Sequence, residues 1–205
     1  MNKMKHLLLF LSLLVSGSAY GQFAYGLTAK TELYSRYSNP KDDIASSASG
    51  SALINLGLGP KFWIGGEGFS VSGEAVAIIS PFAVSIGDFK GLGAVSFPVM
   101  AKLNFGGLST LNKEGKFGFS AGLGYQWTRT ELFGLTSKFE DQGVNRSYFK
   151  NLVGEVAFGF GMGGFAGSLY ARYGRDSAMR SNIVTIGLGY DFNAPRLKVT
   201  TDSDF

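Results

Sequence analysis

Apolar side chains recur at every second position through most of this chain, and small, polar or charged ones stand between them. Successive side chains of a β-strand point to opposite faces, so this period marks strands with one oily and one wet side. In the first stretch Phe23, Tyr25, Leu27, Ala29 and Leu33 share one parity, while Lys30, Glu32 and Arg36 share the other. Alternation returns over Ala52–Ile64, Phe69–Ile79, Ala94–Phe105, Phe117–Thr128, Tyr148–Met162, Phe165–Tyr173 and Asn182–Phe192. Across these segments the polar parity collects Lys30, Glu32, Arg36, Lys61, Glu74, Lys102, Glu155 and Arg172.

Alternation alone does not tell inside from outside. A soluble barrel would turn its oily face inward around a ligand. Aromatic placement argues for the opposite orientation. Phe62, Trp63, Phe105, Trp127, Tyr148, Tyr173, Tyr190 and Phe192 lie near segment ends, where interfacial girdles belong. A closed barrel satisfies its whole backbone in lipid with half its residues polar. Most segments are close to the ~9–11 residues that a tilted membrane strand needs. Gly65-Gly66 and Gly163-Gly164 suit tight hairpins at one end, and Ser38–Ser51 and Thr130–Arg146 suit longer loops at the other. The expected fold is all-β, an eight-stranded antiparallel up-and-down transmembrane β-barrel over residues 22–192. The Gly106–Lys116 connection is longer than a hairpin turn requires, and nothing in its residues accounts for the length.

Eight strands leave an interior just wide enough for side chains to fill. The eight charged positions are therefore expected to form an ion-pair lattice inside the barrel, not to line a channel. With a two-residue turn at Gly163-Gly164, Met162 opposes Phe165 and Glu155 falls directly across from Arg172, which predicts a salt bridge there.

The first 21 residues have the build of a secretory signal: Lys3 and Lys5, an apolar run from Leu7 to Val15, then Ala19-Tyr20-Gly21. That apolar run is shorter than the roughly 20 residues a spanning helix needs. Removing it takes away two of the 19 basic residues and the one histidine, His6, leaving 17 basic residues against 15 acidic. Neither that balance nor any basic cluster is a nucleic-acid footprint. There is no cysteine, which excludes disulfides, thiolate nucleophiles and cysteine metal sites. No cofactor or metal is expected.

The last alternating segment, Thr185-Ile186-Gly187-Leu188-Gly189-Tyr190-Asp191-Phe192, resembles the terminal strand of bacterial outer-membrane barrels. The resemblance implies that Thr185, Gly187, Tyr190 and Phe192 are read by the barrel-insertion machinery. That signal normally ends a chain, whereas thirteen residues, Asn193 to Phe205, follow it here. Phe97-Pro98-Val99-Met100-Ala101-Lys102-Leu103-Asn104-Phe105 is similar to a strand common in small outer-membrane barrels of Bacteroidota, as is the Ala-Tyr-Gly-Gln ending of the signal. Together these imply an outer-membrane location, with outer-membrane lipid as surroundings and both chain termini in the periplasm. They imply no activity.

Candidate chemistry is sparse. A Ser–His pair is impossible without histidine. Ser70 or Ser72 with Lys61 is a formal alternative, but no strained nucleophile turn accompanies it. Asp42-Asp43 are adjacent loop acids, Asp141, Asp176 and Asp202 lack metal-ligand spacing, and Gly159–Gly164 lacks the Lys-Ser/Thr of a phosphate loop. The leading expectation is a non-enzymatic outer-membrane barrel acting as a structural or accessory subunit of a larger envelope complex. In it the 193–205 tail, through Arg196, Leu197, Lys198, Val199 and Phe205, docks on a partner or adds a strand to an exposed sheet edge. A small pore is one alternative. Another is an adhesin or receptor working through its loops, where Phe133 and Phe139 are the aromatic candidates.

Overall fold

The computed structural model describes residues 22–38, 49–86, 91–111, 114–133, 147–176 and 180–197. The alternating segments form β1 (Gln22–Ser38), β2 (Ser49–Gly65), β3 (Phe69–Ala75), β4 (Ala77–Ile86), β5 (Leu92–Gly106), β6 (Lys116–Phe133), β7 (Phe149–Met162), β8 (Phe165–Asp176) and β9 (Ser181–Asn193). All pairings are antiparallel, and β1 is bonded to both β2 and β9, so the sheet closes on itself. β3 and β4 lie end to end between β2 and β5 in one register: Glu74 faces Lys61, and Ala77 faces Leu58. The wall therefore has eight strands, as the alternation predicts.

Proline explains the break in the third wall strand. Val76 donates its N–H to the Pro98 carbonyl at 3.0 Å, but Pro98 has no N–H to return, and the ladder lapses for one residue. At Gly163-Gly164 both residues have positive φ, 57° and 90°, which is the backbone a two-residue hairpin demands. The two tight hairpins, at 65–69 and 162–165, together with Gln22 and Asn193, lie at one end of the barrel, here the turn end. The opposite, loop end carries the connections through 39–48, 87–90, 134–146 and 177–179. Those four segments, like residues 1–21, lie outside the described residues.

The oily parity faces out. Leu27, Leu56, Leu58, Ile79, Leu123, Val156, Phe158 and Leu169 are all at least half exposed. Aromatic residues ring both ends, but with different chemistry. At the turn end Phe23 meets Phe62, Phe69 meets Phe105, and Phe165 meets Phe192, with ring centroids 5.1–6.4 Å apart. Towards the loop end the partners are Phe97 with Tyr148 and Tyr125 with Trp127.

Regular parity fails at three places. Leu33 and Tyr34 both point outward where β1 slips by one residue against β9. Across the ladder Leu53 and Ile54 do the same, with Ile54 held at φ 54°. This bulge reverses the parity of the rest of β1, so Tyr37 turns inward and Arg36 turns outward and is exposed. Arg36 is thus not an interior residue, contrary to the strict alternation. Glu131, at φ 51°, is turned inward and buried although it stands near the outward parity. Trp63 is buried inside and is no part of the outer girdle.

Inward-facing glycines let the wall close tightly. A Cβ at Gly124 would lie 2.1 Å from the Val99 carbonyl oxygen, whereas one at Gly73, on the outside, would meet nothing within 4 Å. Gly124→Ala is therefore expected to destabilise the barrel by about 1–3 kcal/mol, the usual cost of overpacking, and Gly73→Ala to cost nothing. Denaturant midpoints of the detergent-folded proteins check the pair; equal midpoints would contradict the register.

Candidate functional site

The interior is built in layers. Its middle holds four cations, Lys30, Lys61, Lys102 and Arg172, and four carboxylates, Glu32, Glu74, Glu155 and Asp191. Each cation touches two carboxylates. Lys30 Nζ lies 2.7 Å from Glu74 and 3.1 Å from Glu155, and Lys102 bridges the same two acids. Lys61 spans Glu74 at 3.1 Å and Asp191 at 2.7 Å. Arg172 reaches Glu32 at 3.2 Å and Glu155 at 2.7 Å. The result is one chain of contacts, Asp191–Lys61–Glu74–Lys30/Lys102–Glu155–Arg172–Glu32, with no net charge.

The ladder places Glu155 directly opposite Arg172, and the guanidinium donates to Glu155 Oε2 through both Nε, at 2.9 Å, and Nη2. Neutral groups complete the chain. Gln126 Oε1 accepts from Arg172 at 3.1 Å, and Asn55 Nδ2 donates to Glu32 at 2.9 Å. The Tyr170 ring lies under both Lys30 and Arg172, at 4.7 and 5.3 Å. All eight wall strands contribute a member. Asp191, Gln126, Asn55 and Tyr170 were not singled out by sequence, although each stands on the polar parity of its strand. The space left beside the lattice is about 10 Å³, room for roughly one water.

Both ends of this layer are closed. At the turn end the long connection folds into the barrel as a plug: Gly107–Ser109 form a turn of 3-10 helix, and residues 107–111 are buried. Leu108 packs with Ala157, Ala166 and Tyr170, and Leu111 with Ala24 and Trp63. Ser70 donates to the Ser109 carbonyl at 3.2 Å, Ser109 to the Glu67 carbonyl at 2.8 Å, and Asn193 to the Thr110 carbonyl at 3.2 Å. Towards the loop end Tyr37, Ala52, Ala83, Ala94, Met100, Val153 and Ile183 form an apolar layer inside the barrel. The first of these closures accounts for the unexplained length of the connection.

The remaining candidates disperse. Lys61 is engaged by its two acids, while Asn104 donates to Ser72 and Ser70, so no serine–lysine pair forms. Among the described residues no group of acids could hold a metal ion. Thr185 and Gly187 face inward, Thr185 with its hydroxyl 3.1 Å from that of Ser35, and Tyr190 and Phe192 face outward. Arg196 and Leu197 sit in a helical turn, 194–197, against the turn end, where the Arg196 guanidinium donates to the Gln22 side chain. Lys198, Val199 and Phe205 lie outside the described residues, as do Asp42, Asp43, Phe139, Asp141 and Asp202.

A closed antiparallel barrel with an apolar exterior, two aromatic girdles and an ionised interior is a transmembrane β-barrel. Solved structures similar to the chain include outer membrane protein OprG from Pseudomonas aeruginosa, 17% identical, with 83% of this chain and 98% of that one covered and a TM-score of 0.43. Ail, the attachment invasion locus protein of Yersinia pestis, is 15% identical over 82% of this chain and 99% of its own, with a TM-score of 0.41. The outer membrane enzyme PagL is 18% identical over 82% and 99%, with a TM-score of 0.42. No family model and no curated protein matches the chain in sequence.

Breaking the lattice at one point leaves a buried charge without its counterpart. Glu155→Gln leaves Lys30 and Lys102 sharing Glu74 and Arg172 with Glu32 alone, four cations against three acids, and is expected to cost about 3–5 kcal/mol. Adding Lys102→Met restores three cations against three acids and recovers a large part of that loss. A double-mutant cycle on denaturant midpoints measures the coupling; additive effects would mean the pair is not linked.

Proposed function

We propose that the protein is an integral barrel of the bacterial outer membrane that performs no chemistry of its own and serves as a structural or accessory subunit of an envelope assembly. The observation that carries this reading is the filled interior. A charge-balanced lattice occupies the middle, a plug closes one end, an apolar layer lies towards the other, and the cavity beside the lattice takes about one water. Such a barrel offers partners its outer wall and its two ends. The apolar exterior supports residence in lipid, and the resemblance of the last strand to the insertion signal supports delivery to the outer membrane with Thr185, Gly187, Tyr190 and Phe192 as the recognised residues. The Phe97–Phe105 resemblance favours a Bacteroidota-type barrel.

In this reading both chain ends lie in the periplasm, since Gln22 and Asn193 both lie at the turn end. The tail beyond the 194–197 turn is the docking element, with Arg196 and Leu197 at its base and Lys198, Val199 and Phe205 further along. Deleting 198–205 leaves Asn193, which the barrel needs for its contacts with Gly164 and Thr110, in place. That deletion is expected to release co-purifying envelope proteins from gentle detergent extracts while the barrel still folds; an unchanged set of partners would refute docking through the tail. In planar bilayers the full chain is expected to give no conductance steps. Regular steps would replace the accessory reading with the pore.

A further inference from the structure

The outer face of the wall carries charge of one sign at one end. Arg129 on β6, Lys150 on β7, Arg175 on β8 and Arg36 on β1 all stand on the outward parity towards the loop end, beside Trp127, Tyr148, Leu152 and Val184. Lys150 is opposite Trp127, two residues from Arg129, and Arg175 is opposite Leu152, two residues from Lys150. Such diagonal neighbours are roughly 7–8 Å apart in a sheet. Arg175 is opposite Asn182 of β9, which stands two residues from the Val184 that faces Arg36. The four cations thus form a band across five adjacent strands.

Among the described residues no carboxylate accompanies them on the outside. Among the described residues Glu32, Glu74, Glu131, Glu155 and Asp191 belong to the interior, Asp176 stands on the inward parity, and Glu67 and Glu114 are at the turn end. The turn end is of mixed sign, with Lys116 3.4 Å from Glu114. A one-signed band repels itself and attracts counter-charge. Two of its cations are also held in place. Lys150 Nζ lies 4.4 Å from the centre of the Tyr125 ring and the Arg129 guanidinium 6.0 Å from that of Tyr148, while Arg129 Nε is buried with no acceptor among the described residues. Guanidinium and ammonium groups over tyrosine rings, at the level where hydrocarbon gives way to headgroups, present the donors that phosphate oxygens require.

We propose that this band binds the phosphate groups of anionic lipids in the leaflet at the loop end, and so marks that leaflet as the anionic one. The inference rests on the membrane-spanning reading above. Its test reconstitutes the full chain in phosphatidylcholine vesicles containing a minor share of phosphatidic acid, with insertion followed by heat-modifiable gel mobility. The ratio of the two lipids retained on the extracted barrel is then read by native mass spectrometry.

Wild-type barrel is expected to retain phosphatidic acid preferentially. Arg129→Gln, Lys150→Gln and Arg175→Gln should each lower that preference roughly fivefold, from the ~1 kcal/mol that each basic residue near a surface contributes. Lys116→Gln, at the other end, should leave it unchanged. An inserted wild type without the preference, or inserted single variants that keep it in full, overturns the proposal and leaves the membrane reading standing. An equal loss in Lys116→Gln overturns it too, because the preference would then be a property of the whole barrel. A wild type that fails to insert removes both.

Discussion

Eight ionised side chains share a space with room for about one more water, and they can do so only because their charges cancel. In a medium of low polarity an unmatched charge is costly, whereas a cation between two carboxylates recovers its lost hydration through contact. Lys30 and Lys102 illustrate the economy: two like charges stand side by side because Glu74 and Glu155 are shared between them. The lattice and its neutral partners draw a residue from every wall strand, from Lys30 on β1 to Asp191 on β9. Except for β1, which carries one charge of each sign, every charged strand supplies a single charge whose loss would unbalance the interior, so the lattice rewards complete closure over partial sheets. Register is tied to it as well, since a slip of one residue would carry a charge to the lipid face.

The segments that filled this interior were legible because period two is a property of residues alone. Seven of the eight charges taken from the polar parity lie inside, and the facing of Glu155 and Arg172 followed from counting back from a glycine hairpin. Asp191 stood on the same parity, but its place at the end of the last segment hid its role. Arg36 was misplaced for a physical reason: the Leu33 bulge that reverses its face contains no glycine or proline to announce it, and Ile54 across the ladder adopts a backbone that β-branched residues rarely take. Glu131 was hidden by the same kind of turn. Trp63 was misread differently. Its parity already matched Lys61, and its aromatic character drew it to the girdle.

The plug was illegible because it is a loop by every local measure. Leu108 and Leu111 have no strand period around them, and only the excess length of the connection hinted that it had somewhere to go. What fixes it is tertiary: Ser70 and Glu67 from the β2–β3 hairpin and Asn193 from the end of β9 converge on Ser109 and Thr110. The apolar layer towards the loop end was missed for a related reason. Val153 and Ile183 lie on the same parity as the charges of their strands, and a face judged polar by its charged members conceals the oily ones between them.

Those two closures and the lattice support one another. Ion pairs strengthen as water is withdrawn, and the plug below and apolar layer above are what withdraw it. Conversely, Leu108 can rest on Tyr170 only while that ring is held beneath Lys30 and Arg172. A wet lumen would screen the same charges, loosen the lattice and leave a wall held by its backbone ladder alone. The interior is therefore better understood as a core than as a passage, polar where a soluble protein's would be oily. Interaction with other molecules is left to the outer wall and to the two ends.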